Sequence, residues 1–262
     1  MNLQLTDKLA LVSGSTAGIG LAIATSLAAE GARVIVNGRT EARVNEALAK
    51  IRAKVAWAKL EAFAGDLSTD SAATEVARRF PKVEVLVNNL GIFEPKPFEE
   101  IPDDDWRRFF EVNVLSGVRL SRLYLPGMRL RNWGRIIFIS SESALQSPPE
   151  MIHYGMTKTA QIAVARGLAE LTAGTGITIN SVLPGPTRSE GVETFVNQLS
   201  GGKPFAEFEK EFFEKVRPNS LIKRFESVEE IADLVTFVAS PLASATTGAI
   251  WRADGGVVKS AF

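Results

Sequence analysis

Short apolar runs recur along this chain, and a segment with helical periodicity separates each run from the next. The runs predict seven strands, at Leu9–Val12, Val34–Asn37, Leu60–Ala64, Val83–Val87, Arg135–Ile139, Ile177–Leu183 and Ala249–Arg252. The periodic segments predict helices at Ile19–Glu30, Glu41–Ala53, Ser71–Phe80, Asp104–Arg131, Tyr154–Thr172 and Ser227–Ala239. This alternation is typical of βαβ units, in which the strands lie parallel and are covered on both faces. The sequence therefore predicts an α/β fold, a doubly wound parallel sheet of about seven strands with helices on both faces.

The charge balance and the rare residue types exclude several classes of function. Lysine plus arginine number 30 and aspartate plus glutamate number 30, so no overall field attracts nucleic acid or an anionic membrane. The chain has no cysteine and one histidine, which argues against a metal centre built on thiolates or imidazoles. No secretory signal or apolar run long enough to span a bilayer is evident. We expect a cytoplasmic protein with no metal, nucleic-acid or membrane partner.

A glycine-rich turn follows the first predicted strand and leads directly into a predicted helix. Its sequence is Ser13-Gly14-Ser15-Thr16-Ala17-Gly18-Ile19-Gly20. Such a turn lets the backbone approach a phosphate, while the helix N-terminus offers free N–H groups to the anion. The pattern predicts a Rossmann-type dinucleotide site whose pyrophosphate contacts are Gly14, Ser15, Thr16, Gly18, Ile19 and Gly20. A tight turn without a ligand is the alternative, and the strand-turn-helix context favours the site.

The end of the second predicted strand bears on the choice of nucleotide. A site selective for NAD needs a carboxylate near Gly38 to accept hydrogen bonds from the ribose hydroxyls. Gly38 offers none, whereas the neighbouring Arg39 can pair with the 2′-phosphate of NADP. The sequence therefore favours NADP(H) over NAD(H). A solvated Arg39 in a loop is the alternative.

The wide G-x-x-x-G-x-G spacing resembles the T-G-x-x-x-G-x-G motif of the classical short-chain dehydrogenase/reductase family, with Ser13 in place of threonine. The resemblance extends over essentially the whole chain, in family order, through Asp66, Asn88-Asn89-Leu90-Gly91, Asn113, Ser141, Tyr154-Gly155-Met156-Thr157-Lys158, Pro184-Gly185 and Asp254-Gly255-Gly256. Within the family, the chain resembles members that are similar to 3-oxoacyl-acyl-carrier-protein reductases. Leu90 and Ser189 depart from the family pattern, which usually has alanine and threonine there.

The resemblance implies a catalytic set of Asn113, Ser141, Tyr154 and Lys158. Tyr154 and Lys158 lie four residues apart on one predicted helix, so the ammonium can approach the phenol and favour its ionised form. Ser141 would hydrogen-bond the substrate oxygen, with Ser140 as the competing candidate. Asn113 would order the lysine and a water relay. The activity implied is hydride transfer between a nicotinamide and a carbonyl or secondary alcohol.

The resemblance also assigns further cofactor contacts along the chain. They are Asp66 at the adenine, Leu67, Asn89 at the adenosine ribose, Gly91, Tyr154, Lys158 at the nicotinamide ribose, and Pro184, Gly185 and Thr187 at the carboxamide. A loop cap at Asp66 and a structural turn at Asn89 are the alternatives. By the same resemblance we expect a homotetramer or homodimer, with the two longest helices at an interface.

Residues 187–225 lie between the last two predicted strands and are too many for an ordinary connection. We expect one dinucleotide-binding and catalytic domain over residues 1–262, with this segment as a substrate-lid insertion. The stripe Phe205, Phe208, Phe212 and Phe213 falls at helical spacing, and either covers an apolar substrate or packs on its own domain or on a neighbouring subunit.

Two polar residues beside the predicted catalytic set have open roles. Glu142 either selects a polar group of the substrate or is a surface carboxylate. His153 adjoins Tyr154 but points in another direction on the helix, so we do not expect it to act in catalysis.

A rival hypothesis from another class is a dinucleotide-binding sensor or scaffold that has this fold but catalyses nothing. Such a protein would be expected to lose Tyr154 or Lys158, and both are present together with Ser141 and Asn113. The sequence therefore favours an NADP(H)-dependent oxidoreductase that acts on a small carbonyl or alcohol.

Overall fold

Strands and helices alternate along the chain as the sequence predicts. In the computed structural model, which describes residues 1–192 and 204–261, the strands are β1 Leu9–Val12, β2 Arg33–Gly38, β3 Lys59–Ala64, β4 Val85–Asn88, β5 Gly134–Ile139, β6 Ile177–Pro184, β7 Thr187–Arg188, β8 Glu226–Ser227 and β9 Ile250–Ala253. The helices are α1 Gly18–Ala29, α2 Glu41–Lys54, α3 Asp70–Arg79, α4 Asp103–Phe110, α5 Ser116–Arg131, α6 Ile152–Glu170, α7 Phe205–Glu211 and α8 Val228–Ala239.

Seven strands form one parallel sheet in the order β3-β2-β1-β4-β5-β6-β9. The order reverses between β1 and β4, so the connections that leave these two strands diverge and open a crevice at their carboxyl ends. The predicted Rossmann-type single domain with a doubly wound sheet is confirmed. The short pair β7–β8, in which Thr187 lies opposite Glu226, is a separate addition that the sequence did not predict.

Helices cover the sheet on both faces because its central strands are apolar on both sides. One core layer packs Ile23 and Leu27 of α1 and Val235 of α8 against the sheet. The opposite layer uses Leu120 and Tyr124 of α5 in the same way. All residues of β1, β4 and β5 are buried, as strands between two helical layers must be.

The predicted helix Asp104–Arg131 is divided into three parts. A π turn, Glu111–Leu115, separates α4 from α5, and Asn113 lies within that turn. The Asn113 side chain accepts a hydrogen bond from the Ile92 N–H at 2.8 Å and donates to the Ile92 carbonyl at 3.0 Å. One wide turn leaves the hydrophobic periodicity on either side almost unchanged, so the sequence pattern could not reveal it.

The segment expected as an insertion is only partly described, because residues 193–203 lie outside the described ranges. In the described part, α7 continues into a second π turn, Phe212–Val216. The rings of Phe205, Phe208, Phe212 and Phe213 all lie within 6.5 Å of the Phe225 ring, measured between centroids. The phenylalanine stripe therefore packs on Phe225, the last residue of the same segment. Whether it also covers a substrate or packs on its own domain or on a neighbouring subunit stays a prediction.

The first turn of α1 passes so close to the glycine-rich turn that only glycine fits at position 20. A Cβ there would lie 2.4 Å from the Gly14 carbonyl oxygen and 2.5 Å from Nδ2 of Asn89. We predict that Gly20→Ala lowers the free energy of unfolding by roughly 1–3 kcal/mol in urea titrations, because backbone must move.

Gly167→Ala is the matched control for this effect. Position 167 is exposed in α6, with no atom within 4 Å of the added Cβ, so alanine should raise stability by about 0.5–1 kcal/mol. Equal effects of the two substitutions would contradict the steric account.

Candidate active site

The glycine-rich turn is held open by a network of short hydrogen bonds. Gly14 has a φ of +63° and Gly18 one of +53°, a region that suits glycine. Oδ1 of Asn37 accepts from the Gly14 N–H at 3.0 Å, and the Ser15 hydroxyl donates to the Val12 carbonyl at 2.8 Å. The predicted phosphate-binding turn is therefore preformed at the N-terminus of α1.

Asn89 is part of this network. Its Nδ2 donates to the carbonyls of Ser13 and Gly14 at 3.0 and 3.2 Å, and its N–H donates to the Ser13 hydroxyl at 2.9 Å. The side chain thus holds the turn from the β4 side. This placement matches the structural-turn alternative for Asn89, and the residue still lies beside the predicted cofactor.

A groove of about 350 Å³ runs from the glycine-rich turn along the carboxyl ends of the strands. Its walls include the predicted contacts Gly14, Thr16, Arg39, Asp66, Leu67 and Gly91, together with Arg43. Neither Arg39 nor Arg43 makes an ion pair with any residue in the described ranges. The groove is lined by a glycine-rich turn and by two guanidinium groups that make no ion pair in the described ranges. This lining fits a dinucleotide that carries a phosphate on its ribose.

Sequence reasoning missed Arg43. Arg39 and Arg43 lie four positions apart, one before and one within the first turn of α2. This spacing is the sequence signal that could have identified Arg43. Both side chains are exposed at the mouth of the groove. Arg39 and Arg43 together place two positive charges beside Gly38, which has no carboxylate.

Gly38 is fixed as glycine by sterics as well as by its lack of charge. A Cβ at position 38 would lie 2.4 Å from the Thr16 methyl carbon. Since Thr16 belongs to the glycine-rich turn, the turn and the absence of an acidic side chain at Gly38 are parts of one arrangement.

Asp66 and Leu90 show how the rest of the groove wall is built. Oδ1 of Asp66 accepts from both the N–H and the hydroxyl of Ser68, so this carboxylate caps its own loop while lining the groove. The bulky Leu90 packs against the glycine-rich turn, with its Cδ2 3.1 Å from where a Gly14 Cβ would stand. It is thus accommodated only because position 14 has no side chain.

Tyr154 and Lys158 project from the first turns of α6 toward the carboxyl end of β5. The Lys158 ammonium lies 5.5 Å from the centre of the Tyr154 ring and donates to the Ile139 carbonyl at 3.0 Å. Gly91 lines the groove, and a Cβ there would lie 3.4 Å from Lys158 Nζ. The Lys158 ammonium therefore lies beside a residue that lines the groove.

Burial shifts the pKa of both groups. It lowers the pKa of Lys158 to about 8, since the ammonium leaves water with one backbone carbonyl as its partner. Burial also raises the pKa of the Tyr154 phenol, an effect opposed by a hydrogen bond with Ser141 and increased by the Glu142 charge. Lys158 is not among the groups that shift the pKa of Tyr154, so the expected lowering of the phenol pKa by the ammonium does not arise from these side chains alone.

The two candidate serines have different surroundings. The Ser140 hydroxyl is buried and donates to the Lys158 carbonyl at 2.9 Å, so it holds α6 to the end of β5. The Ser141 hydroxyl donates to the carboxylate of Glu142 and accepts from the Ser143 N–H at 3.1 Å. Ser141 is therefore the serine beside Tyr154, and Ser140 is structural.

Asn113 completes the predicted set from the other side of α6. Its Nδ2 donates to Oγ1 of Thr157 at 2.9 Å. Its backbone carbonyl, freed by the π turn, accepts from the side-chain amide of Gln161. Gln161 is a further buried member of the site that sequence reasoning missed, although its position one turn after Lys158 would have placed it on the same helix face.

Pro184 is the last residue of β6, and Gly185 and Thr187 follow it at the same edge of the sheet. The Gly185 N–H donates to the Ala253 carbonyl at 2.8 Å, and the Thr187 hydroxyl donates to the Gly185 carbonyl at 2.9 Å. These contacts fix the segment next to β9.

His153 lies apart from this edge, between the rings of Phe109 and Trp106, with ring centroids 4.0 and 5.9 Å away. Burial lowers the pKa of His153.

The order of these groups along the chain matches a known family. The family model described as short chain dehydrogenase matches residues 8–200, which include the glycine-rich turn, Asn113, Ser141, Tyr154 and Lys158. This chain belongs to the short-chain dehydrogenase family. Family membership explains why the chain has the glycine-rich turn and the tyrosine-lysine pair. It does not identify the substrate, because one fold supports many activities.

Relatives that cover the whole length have varied activities. The uncharacterized oxidoreductase YvaG of Bacillus subtilis is 52% identical over 100% of both chains. The 3-oxoacyl-[acyl-carrier-protein] reductase of Aquifex aeolicus is 31% identical over 98% of this chain and 100% of its own. The solved structure of L-sorbose reductase from Gluconobacter frateurii, complexed with NADPH and L-sorbose, is 29% identical, with a TM-score of 0.92 and coverage of 99% of this chain and 100% of that chain.

A metal-holding cluster and a membrane-spanning helix are both absent from the residues that the structure describes. Within 1–192 and 204–261, no group of three or more histidine, aspartate or glutamate side chains is arranged to hold a metal ion. In the same ranges, no helix has the length and apolarity needed to cross a bilayer.

The buried ammonium of Lys158 should destabilise the folded protein. We predict that Lys158→Met raises the free energy of unfolding at pH 7 by roughly 1–3 kcal/mol, because the folded pKa of about 8 lies below the ordinary value of 10.5. The penalty is fully present below pH 8 and disappears above pH 10.5, so the difference between variant and wild type should shrink between these values in urea titrations.

Loss of activity in the same variant would show that the destabilising lysine is retained for function. A Lys158→Met protein that is less stable than wild type at pH 7, or whose stability difference does not change with pH, would contradict this assignment.

Proposed function

We propose that the protein is an NADP(H)-dependent oxidoreductase that transfers hydride between the nicotinamide and a carbonyl or secondary alcohol. The proposal rests above all on two parts that lie close together: the groove, and the group of Tyr154, Lys158 and Ser141 at the carboxyl end of β5. Gly91 connects the two parts, because it lines the groove and stands beside the Lys158 ammonium. A nicotinamide placed there would supply or accept the hydride, chemistry that belongs to the cofactor.

The protein's own side chains hold the substrate oxygen and move its proton. The Tyr154 phenol donates a hydrogen bond to that oxygen, and so does the Ser141 hydroxyl once it turns away from Glu142. The phenol gives up its proton when a carbonyl is reduced. A phenol is protonated at neutral pH at its ordinary pKa, and burial raises the pKa of Tyr154 further. Lys158 holds the ribose and restores the proton to the phenol, and Asn113 keeps α6 in register through Thr157.

The nucleotide preference rests on positive charge beside Gly38 and the glycine-rich turn. The exposed cations Arg39 and Arg43 can pair with a 2′-phosphate, and Thr16 leaves no room for an acidic side chain at position 38. The similar L-sorbose reductase was solved with NADPH. These observations support NADP(H) over NAD(H).

We also propose a homo-oligomer, a homotetramer or a homodimer, on the basis of family resemblance. Exposed apolar side chains on α4 and α5, Phe110 and Leu123, are each 39% exposed and agree with a helical interface.

Replacing the predicted acid/base distinguishes an enzyme from a sensor. We predict that Tyr154→Phe lowers kcat/KM for NADPH-dependent carbonyl reduction by about 10²- to 10⁴-fold, because the proton donor is removed, while NADPH binding is retained. The measurements are NADPH consumption on a panel of aliphatic, aromatic, steroidal and 3-oxoacyl carbonyls, and a fluorescence titration of NADPH.

The matched control uses the chain's other tyrosine. The Tyr124 hydroxyl is buried in the core of α5, with no hydrogen-bond partner in the described ranges, so Tyr124→Phe should keep full activity. Tight NADPH binding by a wild type that consumes none of these carbonyls would favour the sensor or scaffold.

Removing the cation at position 39 tests the nucleotide preference. We predict that Arg39→Ala raises KM for NADPH by about 10- to 100-fold and leaves KM for NADH nearly unchanged, because only NADPH carries the 2′-phosphate. Arg52→Ala, an exposed substitution further along α2, should change neither value. A wild type that prefers NADH would overturn the proposal.

A further inference from the structure

Glu142 is a buried carboxylate in direct contact with the serine assigned to the substrate oxygen. Its side chain is 7% exposed, which excludes the surface-carboxylate alternative. Oε2 accepts from the Ser141 hydroxyl, from the Ser143 N–H at 2.6 Å and from the Ser143 hydroxyl at 2.9 Å. Donors on several sides fix this carboxylate in place.

A guanidinium from the inserted segment completes the surroundings of Glu142. Nε of Arg217 lies 3.3 Å from Oε1 of Glu142, and its Nη1 lies 3.3 Å from Oε1 of Glu150. Arg217 follows the π turn after α7, so this ion pair joins the phenylalanine-rich segment to the loop that carries Ser141. One cation faces two carboxylates, and the cluster keeps a net negative charge.

The contact with Ser141 fixes how far Glu142 lies from the reacting group. A substrate oxygen that accepts from Ser141 stands about 2.7 Å from its hydroxyl. Because Oε2 of Glu142 is itself within hydrogen-bond distance of that hydroxyl, it lies at most about 5 Å from the substrate oxygen. A hydroxyl on the carbon next to the carbonyl falls within this range.

We propose that Glu142, held by Arg217, selects substrates that carry a hydroxyl group on the carbon next to the reacting carbonyl. This inference rests on the proposed function. When the substrate binds, its adjacent hydroxyl replaces the Ser141 hydroxyl as a donor to Oε2 of Glu142. The Ser141 hydroxyl then turns to the carbonyl oxygen, which accepts from Ser141 and Tyr154, so both oxygens of a neutral hydroxycarbonyl are bound.

The charge of the cluster argues against the other substituents at that carbon. A carboxylate there would face Glu142 with only Arg217 in compensation, and Arg217 is shared with Glu150. An alkyl group would not replace the Ser141 hydroxyl on Oε2 once that hydroxyl turns to the carbonyl, so one hydrogen bond of the carboxylate would be lost. Hydroxyl is the substituent that supplies a donor without adding charge.

The test compares ketones that differ only at the carbon next to the carbonyl, within the panel that tests NADPH consumption. One such series is butan-2-one, 1-hydroxybutan-2-one and 2-oxobutanoate. For the wild type we expect kcat/KM of the hydroxyketone to exceed that of the plain ketone by about 10- to 100-fold, the value of a hydrogen bond to a charged group. The 2-oxo acid should be the poorest of the three.

Glu142→Gln keeps the side-chain shape and removes the charge. The preference for the hydroxyketone over the plain ketone should fall about 10-fold, and kcat/KM for the 2-oxo acid should rise by a similar factor. Any change in Ser141 affects all three ketones alike, so the ratio isolates the contact with the hydroxyl. Glu150→Gln removes the other partner of Arg217 and should leave the ratio unchanged.

Each outcome is decisive. A wild type that reduces plain and hydroxylated ketones equally well, or a preference that persists in Glu142→Gln, overturns the role of Glu142 and leaves the oxidoreductase proposal standing. If Glu150→Gln lost the preference for the hydroxyketone as fully as Glu142→Gln, the preference would come from the position of Arg217 and not from the charge of Glu142. That result would also overturn the role of Glu142. A wild type that consumes no carbonyl of the panel overturns the proposed function itself, and this inference with it.

Discussion

The hydrogen bond from the Lys158 ammonium to the Ile139 carbonyl, 3.0 Å long, is the contact on which the candidate site depends. It brings the start of α6 to the carboxyl end of β5, where Ser140 makes a second bond to the Lys158 carbonyl. These two bonds set the position of Tyr154 relative to Ser141. A buried cation with a single carbonyl partner is costly for folding, and this explains why burial lowers the pKa of Lys158 to about 8.

The parallel sheet brings together groups that are far apart in sequence. The carboxyl ends of β1, β4, β5 and β6 meet at one edge, where they deliver the glycine-rich turn, Asn89, Ser141 and Gly185. The glycines at positions 14 and 20 allow α1 to approach that edge closely. The groove is therefore a consequence of strand order and of missing side chains more than of any single contact.

The sequence predicted the sheet and the residues at its edge because parallel strands and a glycine-rich turn leave strong local patterns. The strands matched to within a few residues, and Tyr154 and Lys158 share a helix face as expected. The π turn at Asn113, the pair β7–β8 and the bond from Gln161 were missed, since each depends on contacts between distant segments. The environment of Glu142 was undecided for the same reason: its partner Arg217 lies 75 residues away in sequence.

The central claim is that the site transfers hydride between a nicotinamide and a carbonyl carbon. The most direct test is reduction of an accepted ketone with NADPH deuterated at the transferring position, followed by mass spectrometry and NMR of the product. The account predicts one deuterium on the carbinol carbon of the alcohol. NADPH oxidation that yields no deuterated alcohol, or an alcohol whose new hydrogen comes from the solvent, would contradict it.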